Sequence, residues 1–249
     1  MSLSGKTSLI AAGTKNLGGA SAKELAKAGS NLFLHYRSNL EEAEKFKQEI
    51  LKEFPNVKVE TYQSKLDRAA DLTNLFAAAK KAFPSGIDVA VNFVGKVIKG
   101  PITEVTEEQF DEMDVANNKI AFFFIKEAAI NLNKNGSIIS IVTSLLPAYT
   151  DSYGLYQGTK GAVEYYSKSV LKELIPKGIT SNCIGPGPAS TSFLFDSETK
   201  ESVEFFKTVA IDQRLTADSD IAPIVLFLAT GGRWATGQTI YASGGFTAR

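Results

Sequence analysis

The sequence predicts an α/β fold in which a single doubly wound parallel sheet is flanked by helices on both faces. Two observations predict it. Short runs that are apolar on both faces alternate with longer amphipathic stretches of helical period, and a strand without a polar face needs helices above and below it. The alternation continues through the whole chain with no internal repeat, low-complexity tract or Pro/Gly/Ser linker, which gives one domain over residues 1–249.

The elements follow in order. A first strand (7–12) leads to a helix (18–28), a second (31–36) to a helix (40–54), and a third (58–63) to a helix (68–82). A fourth strand (89–93) precedes a long helical pattern (106–131), and a fifth (137–142) precedes another (153–175). A sixth strand (179–184), a helix (219–229) and a last strand (238–241) complete the chain. Ligands of such sheets bind beyond the carboxyl ends of the strands, near the point where strand order reverses. Function is therefore expected in the loops that follow strands. The densest punctuation, Gly185-Pro186-Gly187-Pro188, directly follows the sixth strand and reads as an active-site loop.

Composition narrows the function. The 249 residues are 44% hydrophobic and 22% charged, which allows a sizeable core. Lys plus Arg and Asp plus Glu stand at 27 each, so no global field points to nucleic acid or an anionic membrane as partner. No apolar run approaches a bilayer span and no signal-peptide core opens the chain, so a cytoplasmic protein is expected. The single cysteine, Cys183, excludes an internal disulfide and a Cys-based zinc site; it reads as packing in an apolar strand, and no metal is expected. The single histidine, His35, ends the run Asn31-Leu32-Phe33-Leu34, a poor place for a Ser-His-Asp triad. Proton chemistry is left to Tyr, Lys or carboxylates.

The first strand runs into Gly13-Thr14-Lys15-Asn16-Leu17-Gly18. Small residues at a strand-to-helix turn let backbone approach a pyrophosphate at the helix N-terminus. Anchored on Gly13, the glycine fingerprint has Leu17 at its second glycine. Anchored on Gly18, it has Ala12 and Asn16 at the two earlier ones. The helix length out to Gly29 favours the second register, and Asn tolerates left-handed backbone. Lys15 lies in this loop, and Arg37 and Ser38 follow the second strand, where an acidic residue would otherwise meet a ribose 2′-OH. Arginine suits a 2′-phosphate, so NADP(H) is expected.

Tyr156 and Lys160 are four residues apart, on one face of a helix. An ammonium beside a phenol lowers its pKa from near ~10 and readies it to give a proton to a carbonyl oxygen or take one from an alcohol.

With these residues the chain resembles the short-chain dehydrogenase/reductase family over nearly its whole length. Tyr156-x-x-x-Lys160 matches the catalytic pair, and Asn92-Phe93-Val94-Gly95 resembles the family's Asn-Asn-Ala-Gly element. The segment Phe110 to Asn117 matches the helix that supplies its catalytic Asn. Pro186-Gly187-x-x-x-Thr191 matches the loop beside the nicotinamide, and Thr236-Gly237 with Gly244-Gly245 resembles the C-terminal strand and turn. The resemblance implies a Rossmann-type NADP(H)-dependent reductase or alcohol dehydrogenase acting on a small-molecule carbonyl or alcohol, with Tyr156 as general acid/base. The alternative on the same fold is a non-catalytic NADP(H)-binding regulatory or interaction protein, against which the presence of Tyr156, Lys160 and Asn117 together argues. It implies that Lys160 holds the nicotinamide ribose and depresses the Tyr156 pKa, and that Asn117 positions a water linking Lys160 to solvent. A hydroxyl orienting the substrate is implied at the end of the fifth strand. Family spacing counted back from Tyr156 lands on Thr143, whereas serine, the family's usual residue, selects Ser144, which is preferred. Asn92 and Val94 are implied at the cofactor. The family's Asp near the adenine is replaced by Lys65, which leaves Leu66 to contact through backbone. The relatives that reduce an activated C=C bond tend to space Tyr and Lys more widely. Ala121-Phe122-Phe123-Phe124-Ile125 is more apolar than one helix face needs, and with the family's helix-mediated interface implies a homodimer or homotetramer. A substrate lid is expected around 190–212, its phenylalanines facing either an apolar substrate or the core.

Overall fold

The computed structural model describes residues 2–148 and 150–247. Among them, seven strands form one parallel sheet: β1 (Thr7–Ala11), β2 (Asn31–Tyr36), β3 (Val59–Gln63), β4 (Ile87–Asn92), β5 (Leu132–Ile141), β6 (Thr180–Pro186) and β7 (Thr239–Ala242). Their order is β3-β2-β1-β4-β5-β6-β7. The chain winds outward from β1 to β3, returns, and winds the other way from β4, so β1 and β4 flank the reversal where such sheets bind ligands. The helices are α1 (Asn16–Lys27), α2 (Leu40–Glu53), α3 (Ala69–Ala82), α4 (Glu107–Met113), α5 (Ile120–Asn131), α6 (Gly154–Leu174), α7 (Ser192–Phe195), α8 (Lys200–Thr208) and α9 (Asp218–Ala229).

Strand alternation sends apolar residues to both faces. Leu9, Phe33, Ala90, Ile138 and Cys183 pack with Phe76 of α3, Phe124 of α5 and Val163 of α6. Ile10, Leu34, Val91, Ile139 and Ile184 pack with Leu25 of α1, Ile50 of α2 and Val225 of α9. Each fully buried Leu, Ile or Phe contributes roughly 1.5–3 kcal/mol, which is why neither face tolerates polar substitution. Cys183 lies in this packing, free and buried. No helix among the described residues is long and apolar enough to cross a membrane.

Two departures from the expected elements matter. β5 begins at Leu132, because Ile87 pairs Leu132 while Val89 pairs Ser137, an irregularity that absorbs the polar Asn133-Lys134-Asn135-Gly136. The expected helix over 106–131 comes in three pieces, with a π-helical stretch, Asp114–Lys119, between α4 and α5. A π turn carries an extra residue and occurs frequently at functional sites. This one carries Asn117, fully buried. The Phe122–Phe124 run divides. Phe124 is core, while Phe122 is 45% exposed and stacks edge-on against Tyr166 at 5.1 Å.

Candidate active site

A cleft of about 970 Å³ opens over the carboxyl ends of the strands, lined from the loops after β1, β2, β3, β4, β5 and β6. Its geometry begins at the β1–α1 loop. Ala12 (φ +56°) and Asn16 (φ +49°) are both left-handed, the conformation a glycine would adopt, which is the second register of the fingerprint. A Cβ on Gly18 would lie 2.1 Å from the Ala12 carbonyl oxygen, so only glycine permits the chain to fold back there. No side chain caps α1 and its first turn has no acidic residue. Its N–H groups and dipole are thus available to an anion at the cleft. Lys15 and Arg37 line the same cleft, and neither forms an ion pair among the described residues; Lys65, also lining it, is held by Asp67 at 2.6 Å.

His35, unremarkable as a catalyst, supports this loop. It is buried; its Nδ1 accepts from the Ala12 N–H at 3.1 Å and its Nε2 donates to the Ser64 carbonyl at 2.9 Å, while its own carbonyl accepts from the Gly13 N–H at 3.0 Å. One ring thereby ties the cofactor loop to the ends of β2 and β3, in the neutral form. Burial holds its pKa below the ordinary 6.5. A folded-state value below the unfolded one means that this stability is complete above about pH 6.5 and is lost as pH falls through the folded value. Wild type is therefore expected to lose more thermal stability than His35→Gln, which does not titrate, when melts at pH 7.5 and pH 5 (roughly one and a half units below the histidine's usual value) are compared; equal losses refute it.

The proton-bearing groups sit on the floor. Tyr156 and Lys160, one turn apart on α6, are both buried. Burial pushes the Tyr156 phenol up to about 12, opposed by the Thr143 hydroxyl that faces it. Burial pulls Lys160 down to about 8. Its ammonium donates to the Ile141 carbonyl at 2.9 Å and the Val94 carbonyl at 3.4 Å. In this arrangement the ammonium is turned to these carbonyls, and burial is the main influence on the phenol. Asn117 accepts from the Lys96 N–H and donates to the Lys96 carbonyl, both at 2.8 Å, and donates to Thr159 Oγ1 at 3.1 Å. Gly95 lets these groups converge, since a Cβ there would lie 2.9 Å from Lys160 Nζ and 3.2 Å from Asn117 Oδ1.

Over this floor lies the segment after β6. An isolated bridge between Ala189 and Thr216 pins both its ends, and α7 and α8 lie between, so the lid expected at 190–212 has a stem and two short helices. Asn16 Nδ2 donates to Ser192 Oγ at 3.2 Å, linking the β1–α1 loop to the start of α7. Phe193 and Phe206 line the cleft, Phe193 while still 41% exposed, and Phe195 and Phe205 are exposed outside it.

Of the residues expected at the cofactor, Lys15, Asn16, Leu17, Gly18, Arg37, Ser38, Leu66, Val94, Pro186, Gly187 and Thr191 line the cleft together with Tyr156 and Lys160. Gly13 and Asn92 do not. Gly13 packs on Ile10, where a Cβ would come within 2.9 Å, and Asn92 Oδ1 accepts from the Val94 N–H at 3.0 Å to shape the following turn. Thr143 and Ser144 both line the cleft: the Thr143 hydroxyl faces the phenol, and the Ser144 backbone is anchored, N–H to the Pro186 carbonyl at 3.0 Å and carbonyl to Thr247 Oγ1 at 2.9 Å. Sequence reasoning missed the supporting role of His35 and the Thr159 contact to Asn117. A buried strand-end histidine was the available signal for the first; nothing local announced the second.

Comparison with known proteins agrees with this geometry. A family model described as enoyl-(acyl carrier protein) reductase matches residues 11–247. An Arabidopsis thaliana protein named NADPH-dependent aldehyde reductase-like protein, chloroplastic, is 33% identical, covering 98% of this chain and 95% of its own. Another Arabidopsis protein, NADPH-dependent aldehyde reductase 2, chloroplastic, is 32% identical over 98% of this chain and 94% of its own. The crystal structure of a Burkholderia cenocepacia protein described as a dehydrogenase, with bound NADP, superposes with a TM-score of 0.95 at 40% identity, covering 100% of this chain and 96% of that one. A Serratia marcescens short-chain dehydrogenase/reductase gives 0.92 at 26% identity, with 100% of both chains covered.

Proposed function

The chain belongs to the short-chain dehydrogenase/reductase family, and from that premise we propose that it is an NADP(H)-dependent carbonyl reductase, running in reverse as an alcohol dehydrogenase, that acts in the cytoplasm on a small-molecule ketone or aldehyde. The observation that carries the reading is the buried Tyr156 phenol, with the Thr143 hydroxyl facing it, on the floor of a cleft that also presents Lys15, Arg37 and the uncapped start of α1. The cradle fits a pyrophosphate: the uncapped N-terminus of α1 opens onto the cleft beside Lys15, and Gly18 lets the loop fold tightly against its own backbone, where a Cβ would stand 2.1 Å from the Ala12 carbonyl oxygen. NADPH, when bound, supplies the hydride. A phenol held near 12 carries its proton throughout the neutral range, so Tyr156 acts as the acid that protonates the carbonyl oxygen. Thr143 orients that oxygen, and Lys160, charged below about pH 8, holds the cofactor's ribose. Asn117 keeps the Lys96 backbone in place beside Lys160. The exposed Phe122 face of α5 supports assembly into a homodimer or homotetramer; a monomeric mass by light scattering would remove that part.

The test is NADPH oxidation against a panel of aldehydes, ketones, quinones and sugars, with NADH in parallel. Turnover on carbonyls with NADPH preferred is expected, and Arg37→Ala is expected to reduce that preference by about tenfold or more by removing a charge-assisted contact to the 2′-phosphate. An undiminished NADPH preference in Arg37→Ala would reject that assignment, and silence across the panel would reject the reductase reading.

A further inference from the structure

Around Tyr156 the cleft is walled by Val97, Leu145, Tyr153, Phe193, Phe206 and Phe246. The Tyr153 and Phe193 rings stand 6.4 and 6.5 Å from that of Tyr156, and Val97 and Leu145 pack into the same small cluster. Phe206 meets Phe246 edge-on at 6.0 Å. Aromatic walls receive a flat apolar body.

The charges nearby are already committed. Both lysines of the loop after β4 are held by carboxylates, Lys96 by Glu112 and Lys99 by Glu198, the latter at 2.8 Å. Glu198 belongs to the lid, between α7 and α8, and its side chain has 0% exposure. Its other oxygen accepts from the Tyr153 hydroxyl, and the Lys99 ammonium lies 5.1 Å over the Tyr153 ring. The remaining cation beside Tyr156, Lys160, is turned to the Ile141 and Val94 carbonyls. A substrate carboxylate entering here would meet aromatic walls, with Lys99 withheld and a second carboxylate behind Tyr153. A charge buried without a partner is disfavoured, and more so beside one of like sign.

We propose that this end of the cleft selects neutral aromatic carbonyl compounds, and that Glu198, by holding Lys99 behind Tyr153, is the specificity-determining residue that rejects their carboxylate-bearing analogues. The proposal rests on the reductase reading given above. Para-tolualdehyde and para-carboxybenzaldehyde share the ring and the reacting group and differ in charge. Wild type is expected to show kcat/KM at least ~100-fold higher for the neutral aldehyde. Glu198→Gln keeps an acceptor for the Tyr153 hydroxyl but removes the charge that holds Lys99, so the preference is expected to narrow about tenfold. Adding Lys99→Met to that variant is expected to restore the wide preference, because the freed cation is gone.

Equal kcat/KM for the two aldehydes in wild type, or a ratio that Glu198→Gln leaves unchanged, overturns the proposal. Silence on both aldehydes is a failure of the reductase reading alone. Calorimetric binding of para-methylbenzyl alcohol and para-(hydroxymethyl)benzoate to the NADP-loaded protein then decides the proposal. A neutral-over-anionic preference that narrows in Glu198→Gln sustains it, and equal affinity, or binding of neither, overturns it.

Discussion

Tyr156→Phe is expected to lower kcat by about 10²–10⁴-fold, the usual worth of a positioned general acid, with NADPH binding retained. The substitution removes one oxygen and keeps the ring, which packs between Tyr153 and Phe193. Thr143 loses the group it faces, a local change that leaves the glycine loop, Lys15 and Arg37 untouched. Single-turnover NADPH oxidation would report the loss, and a fluorescence titration with NADPH would show the cofactor still bound. The pKa sharpens this expectation. With the phenol near 12, no appreciable phenolate exists at neutral pH, so the wild-type residue acts in reduction as a proton donor that phenylalanine cannot replace. A variant that turns over at the wild-type rate would place the acid elsewhere and remove the mechanism.

How far the sequence disclosed this site depends on which physical signal each residue carried. The sheet was legible because its strands are apolar on both faces, and that pattern has few solutions besides helices on each side. The Tyr156 and Lys160 pair was legible through spacing along a helix, where geometry follows from sequence separation, whereas Asn117 was indicated only by the resemblance of its segment to the family's helix. The start of β5 was hidden because Asn133-Lys134-Asn135-Gly136 carries no strand period; it joins the sheet through pairing with β4, a long-range constraint. The π-helical stretch around Asn117 was hidden for a similar reason, since nothing in Asp114–Lys119 differs in propensity from an α-helix. Thr143 and Ser144 are adjacent hydroxyls, and which of them faces the phenol depends on how the backbone leaves β5, a matter of the Ser144 N–H bond to Pro186. The carbonyls that receive the Lys160 ammonium come from β5 and from the turn after β4, elements distant in sequence, and no local pattern announces them.

Gly18→Ala is expected to weaken NADPH binding by ~10²-fold or more, since displacements of about 1 Å in positioning groups can cost that much. The new Cβ would stand 2.1 Å from the Ala12 carbonyl oxygen and 3.3 Å from the Gly13 Cα, both backbone atoms. Such a clash is relieved only by moving the loop or the start of α1, and neither is free to move. Ala12 already occupies a left-handed conformation, and its N–H and that of Gly13 are both fixed to His35. The overpacking itself is expected to cost about 1–3 kcal/mol of stability. Gly158→Ala supplies the control. That glycine lies on the exposed side of α6, two residues from both Tyr156 and Lys160, and a Cβ there meets nothing within 4 Å. Inside a helix the same change is expected to stabilise by roughly 0.4–1 kcal/mol. Thermal melts and calorimetric NADPH titrations of the two variants separate a glycine required by close approach from one that is not. If Gly18→Ala bound NADPH as wild type does, the turn from β1 to α1 would not be what holds the pyrophosphate, and the cofactor would have to be sought elsewhere in the cleft.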